Sequence, residues 1–129
     1  MITYHIGLFA NLFNMTKTII LVFDIEGHHS WKNPFSSVDF LKNEHRHLFR
    51  IRLGIKVNHN NRDKEIFIQQ QYFQKYLKDK YETLDKEYKY HNFGNMSCED
   101  IAEELINLDN DIQWVEVLED NLGGAKIER

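Results

Sequence analysis

The sequence predicts an α+β domain, an antiparallel β-sheet with two helices packed on one face. Three observations predict it. Long stretches near the start and shorter ones near the end alternate apolar and polar residues with a period of two, as half-buried strands do. Two stretches between them repeat apolar residues every three to four positions, as helices do. Polar or glycine-bearing turns separate these segments in the order β–β–α–α–β–β.

The first strand begins at Lys17. In KTIILVFDIE (17–26) the residues Lys17, Ile19, Leu21, Phe23 and Ile25 share one face. The same parity reaches Gly27 and His29, so a strand without a bulge puts His29 on the apolar face and turns His28 away. SWKNPFSSVDFLKN (30–43), with the only proline, Pro34, reads as a loop. The second strand lies in EHRHLFRIRLGIKV (44–57). It sets His45, His47, Phe49, Ile51, Leu53, Ile55 and Val57 on one face and mostly cationic residues on the other. NHNNRDKE (58–65) is a polar turn, and Ile66 to Tyr81 reads as a helix with Ile66, Phe73, Leu77 and Tyr81 near one stripe.

Residues 82–95 read as a polar, aromatic loop. A second helix starts at Ser97, whose hydroxyl can cap it, with Asp100 at the capping-box position and Ile101, Ala102, Leu105 and Ile106 as the buried stripe. DIQWVEVLED (111–120) is the third strand, with Gln113, Val115, Val117 and Glu119 on one face. GGAKIE (123–128) is a short fourth.

Composition narrows the function classes. The 129 residues suffice for one domain. A formal charge of −4 argues against a general nucleic-acid binder. The single cysteine, Cys98, allows no internal disulfide framework, so a cytoplasmic setting is expected. No apolar run is long enough for a membrane helix. The first residues lack a basic region and a cleavage site, so no signal peptide is expected. Residues 1–14, ahead of Met15, are expected to be an extension outside the fold, leaving 15–129 as one domain.

The candidate chemistry is carried by histidines and one carboxylate. His45 and His47, at i and i+2 of one strand, project their imidazoles the same way, close enough to share a metal ion. A catalytic zinc takes three protein ligands and an open position, and His29 is the natural third. The alternative is three strand-end histidines stacked on Trp31 or Phe49, and His28 replaces His29 if the strand bulges. Glu119 ends a partly apolar strand face. It suits either a planar ligand with two adjacent N–H donors or a salt bridge to an arginine such as Arg62. His5, His59 and His91 are weaker cases: the turn around His59 suits either an acid–base group near a site or an ordinary solvated hairpin.

Four short motifs, IEGHH (25–29), HRH (45–47), MSCEDIA (96–102) and VEVLED (115–120), together resemble the 6-pyruvoyl- and 6-carboxy-tetrahydropterin synthases. That family carries F-x-A-x-H, H-G-H, P-T-[ST]-E-N-x-A and V-x-V-x-E-T in the same order, over about residues 17–129 here. The resemblance implies the tunnelling (T-) fold, zinc on His29, His45 and His47, and Glu119 anchoring the 2-amino and N3 edge of a pterin-like ring. Backbone groups around Ser97 and Cys98 would help to hold that ring. It implies a homo-oligomer, a trimer or hexamer with pockets between subunits. The implied activity is zinc-dependent lyase chemistry on dihydroneopterin triphosphate or a related pterin, in pterin or 7-deazaguanine (queuosine-precursor) biosynthesis.

Departures from the family pattern fall on the proton-transfer groups. The family's catalytic cysteine, four residues before the first histidine of H-G-H, is Leu41 here, and Lys86 stands where a histidine would. Acid–base work would then pass to residues such as His59, Asp63 or His91. Without turnover, the alternative is a T-fold protein that binds a pterin, purine or nucleotide for sequestration or regulation.

Overall fold

In β1 (Lys17–His29) the apolar alternation runs unbroken for 13 residues. It pairs antiparallel with β2 (His45–Val57), from Lys17 opposite Val57 to His29 opposite His45, with no slip between. The structure, a computed structural model, describes residues 15–129, so the expectation for residues 1–14 lies outside the described residues. After β2 come helix α1 (Ile66–Tyr81), a hairpin of β3 (Glu82–Asp85) and β4 (Tyr88–His91), helix α2 (Cys98–Ile106), β5 (Ile112–Glu119) and β6 (Gly123–Glu128). The main sheet has the order β1-β2-β5-β6 and is antiparallel throughout. The α+β class with an antiparallel sheet is therefore what the chain adopts.

Burial follows the strand parity. Leu21, Ile25, Phe49, Ile51, Leu53, Ile55, Val115 and Val117 are buried on one face of the sheet, in one cluster with Phe73 and Leu77 of α1 and Ile101, Ala102, Leu105 and Ile106 of α2. Among the described residues the other face is exposed at several positions. Ile20, Val22 and Leu48 are exposed there, and Asp24–Arg50 and Arg52–Glu116 pair across neighbouring strands at 2.9 and 3.1 Å.

Three features depart from the sequence reading. The β2–β5 register slips between Gly54 and Ile55, so that Gly54 faces Trp114 while Ile55 faces Ile112. This bulge brings both Ile112 and Val115 into the core and leaves Gln113 only half-buried, against the plain alternation. The segment 82–95 is not all loop. Its β3–β4 hairpin turns through Lys86, whose φ of 58° is left-handed, and stacks Tyr88 on Tyr90 at 5.7 Å. Residues Ser36–Lys42, inside the predicted first loop, form a 3-10 helical turn.

The helices do more than cover the core. α1 closes the outer edge of β1: Gln70 Oε1 accepts from the Val22 N–H at 3.0 Å and Gln74 Nε2 donates to the Asp24 carbonyl at 2.8 Å. Beyond α1 the edge is closed by the Phe93 N–H on the His28 carbonyl and the Ser30 N–H on the Gly94 carbonyl, both at 2.8 Å. α2 begins with a full capping box. The Asp100 N–H donates to Ser97 Oγ at 3.1 Å and the Ser97 N–H donates to the Asp100 carboxylate at 3.0 Å. Among the described residues no helix is long and apolar enough to cross a membrane.

Candidate metal centre

β1 and β2 end side by side at His29 and His45, and His47 stands two residues further along β2 on the same face. The three ring centroids lie 4.6 to 5.2 Å apart. One ligand atom from each imidazole falls within 4.8 Å of the other two. His28 points to the opposite face, 3.5 Å from Glu44 and packed edge-on against Tyr90. The unbroken strand thus puts His29, and not His28, beside His45 and His47.

What fixes each imidazole is a bond at its Nδ1. His29 Nδ1 lies 2.9 Å from the Met96 carbonyl, His45 Nδ1 lies 2.8 Å from the Asn43 carbonyl, and His47 Nδ1 lies 2.6 Å from Asp120 Oδ2. All three partners only accept hydrogen bonds. Each neutral ring must therefore carry its proton on Nδ1 and keep a lone pair on Nε2. Metal-ligating histidines are oriented in this way.

On the Nε2 side His29 and His47 face a carboxylate rather than a donor. His47 Nε2 is buried and has no hydrogen bond. Glu119 Oε1 lies 3.3 Å from His29 Nε2 and Glu119 Oε2 lies 3.5 Å from His47 Nε2. Lone pairs facing a carboxylate repel unless positive charge lies between them. Three imidazole lone pairs and an adjacent carboxylate are a donor set that fits a divalent cation. Burial, the largest cause, pulls the His29 pKa below its ordinary value, which favours the neutral ring a metal needs.

Asp120 owes its place to the β5–β6 turn. Its φ is 51° and that of Asn121 is 60°, and the Leu122 N–H closes the turn on the Glu119 carbonyl at 2.9 Å. By strand parity alone Asp120 would face away from His47. The left-handed backbone swings it back, where it bonds His47 and also accepts from the Leu48 N–H at 2.8 Å. The His47 hydrogen bond, then that of Leu48, holds the Asp120 carboxyl below the usual carboxylate range. Sequence reasoning missed this residue. The available signal was the Asp-Asn pair shortly before Gly-Gly, a combination that favours positive φ.

Around the histidines opens a cavity of about 790 Å³, also lined by Trp31, Leu41, Ser97, Cys98 and Glu119. Pockets for small molecules run roughly 300–1,000 Å³. The Cys98 thiol is buried, and its Sγ is 3.5 Å from Glu119 Oε1. Burial, with the Glu119 charge added, pushes its pKa up to about 12, so it stays a thiol near neutral pH. The Ser97 hydroxyl is committed to the α2 cap. Leu41 reaches the cavity from the 3-10 turn, which the Trp31 N–H ties down by donating to the Leu41 carbonyl at 2.8 Å.

The structure does not bring His59, Asp63 or His91 to this cavity. His59 and Asp63 pair at 3.5 Å in the turn beyond Val57, at the far end of β2. At about 3.3 Å per residue that is roughly 40 Å from His45. Arg62 lies in the same distant turn, so Glu119 has histidines and a thiol as neighbours rather than that arginine. His91 ends β4 with its Nδ1 3.2 Å from the Glu26 carbonyl, and lines a separate cavity of about 250 Å³ with His28 and Tyr90. Within one chain, none of the three lines the histidine cavity.

No model of a known protein family matches the chain, and no curated protein matches it either.

Proposed function

We propose that the chain is a T-fold protein that binds zinc through His29, His45 and His47 and acts as a tetrahydropterin-synthase-type lyase. Its substrate in this reading is dihydroneopterin triphosphate or a related pterin. The observation that carries the reading is that one ring nitrogen from each of His29, His45 and His47 lies within 4.8 Å of the other two on the wall of a ligand-sized cavity, while each Nδ1 faces an acceptor oxygen. The motif order adds support, as does the sheet order β1-β2-β5-β6.

Each group of this chain then has a stated task. Glu119 presents two oxygens to adjacent N–H donors of the ring, in place of the contacts it makes to His29, His47 and Cys98. The Ser97–Cys98 backbone at the start of α2 flanks the ring, and Trp31 and Leu41 wall off water. Asp120 holds His47 in its metal-facing tautomer. Zinc, when bound, supplies Lewis-acid polarisation of the substrate's side-chain hydroxyls or carbonyl. The resemblance extends this reading to a trimer or hexamer.

A second reading has a specific observation in its favour. Leu41, at the family's cysteine position, faces the cavity, and the Cys98 thiol is held protonated. A leucine cannot move a proton. On that ground the protein would hold a pterin, purine or nucleotide without turning it over, for sequestration or regulation. The test is to incubate zinc-loaded protein with dihydroneopterin triphosphate and, separately, with dihydroneopterin, and to separate the products by chromatography. Loss of triphosphate or cleavage of the side chain supports the lyase. Saturable binding without product supports the binder, and protein that takes up no zinc sinks both.

A further inference from the structure

The charges that line the histidine cavity are of one sign. Glu99, Asp100, Glu119 and Asp120 all line it, and among the described residues of one chain no lysine or arginine does. The cations nearest in sequence are engaged elsewhere or lie outside the lining. Arg46, between the two histidines of β2, points to the other face and pairs with Glu26, and Lys42 pairs with Asp39 at 3.3 Å. Lys32 follows Trp31 without joining the lining, and residues 1–14 contain no lysine or arginine.

Among the described residues, a positive feature of the wall is the N-terminus of α2, where backbone N–H groups attract anions. That capacity is already used within the chain. Asp100 and Ser97 close the capping box, and Glu99 adds a second carboxylate to the first turn. A divalent metal on three neutral imidazoles brings two positive charges against four carboxylates. A substrate triphosphate, with several negative charges of its own, would enter a site that remains net negative.

We propose that this cavity selects an uncharged heterocycle with adjacent N–H donors, a pterin without phosphate, and discriminates against its triphosphate. The proposal rests on the pterin reading above and narrows it. Glu119 bonds the ring, while Glu99, exposed at the rim and making no contact to the histidines, acts as a charge filter.

The test is a fluorescence titration of the zinc-loaded protein with dihydroneopterin and with dihydroneopterin triphosphate, at about 20 mM and about 200 mM salt. Dihydroneopterin should bind at least about ten-fold more tightly at low salt, with the gap narrowing at high salt. Glu99→Lys should narrow the low-salt gap several-fold while dihydroneopterin still binds. Triphosphate binding as tightly as dihydroneopterin in the unaltered protein overturns the proposal, and so does an unchanged gap in Glu99→Lys. If zinc is bound and neither compound binds, it is the pterin reading itself that fails, and the selectivity falls with it.

Discussion

The two ends of β2 carry histidines of opposite character. At one end His45 and His47 have their Nδ1 atoms bonded to acceptor-only oxygens, and His29 meets them from β1 in the same condition. At the other end His59 sits in an exposed turn, where its Nδ1 accepts from the Asn61 N–H at 3.2 Å and its Nε2 faces Asp63. Both ends have a histidine beside a carboxylate, so proximity of residue types does not separate them. The tautomer does. At the cavity end one nitrogen of each ring lies within 4.8 Å of the other two, and at the turn the ring is occupied on both sides by its own loop.

The sharpest way to break this comparison is to remove one histidine at each end. His47→Ala should lose its zinc on dialysis, since two imidazoles and an unanchored carboxylate make a poor site, whereas His59→Ala should keep it. Elemental analysis per subunit measures both. Zinc retained by His47→Ala would mean that the cluster is not the site. The same pair of variants can be read by stability. Free zinc at about 100 times its dissociation constant should stabilise the folded chain by about 2.7 kcal/mol. That gain should vanish in His47→Ala and persist in His59→Ala.

A smaller effect is expected from the residue that aims the ligand. Asn at position 120 tolerates the left-handed backbone that the turn requires and can still accept from the Leu48 N–H. It lacks the charge that orients His47. Asp120→Asn should weaken zinc binding about 10- to 100-fold, as other oriented metal sites do when such a partner is lost, with the fold intact. Competition against a colorimetric chelator measures it. An unchanged affinity would place the orientation of His47 elsewhere.

These contrasts also explain what could be read from the sequence. His29 was legible because strand parity is a local rule and β1 obeys it for its whole length. The α2 start was legible because a capping box is written in side chains. The parity of β5 failed at Gln113, since a bulge is a property of the pair and not of one strand. Asp120 was hidden for a related reason: a single left-handed residue reverses the side a carboxylate faces. The carbonyls of Met96 and Asn43 could not be read at all, because every residue carries that acceptor. The distance of His59 from the site followed only once the strand that ends beside it had a measured length. The T-fold and zinc remain proposals, as the motifs that suggest them are short.

The smallest effect separates the histidine cluster from the scaffold that feeds it. Met96, whose carbonyl accepts from His29, is the residue before the Ser97 cap of α2. The cap therefore anchors one ligand at a remove. Ser97→Ala leaves the Asp100 N–H without its Oγ partner and should cost about 1 kcal/mol of folding stability, read from the urea midpoint. Its effect on zinc should be slight, because the Met96 N–H is also tied to the Phe93 carbonyl at 3.2 Å, a bond that the variant keeps. A large zinc loss in a well-folded Ser97→Ala would show that the helix cap, and not the paired strand ends, sets the position of His29. The metal centre would then belong to α2 as much as to the sheet.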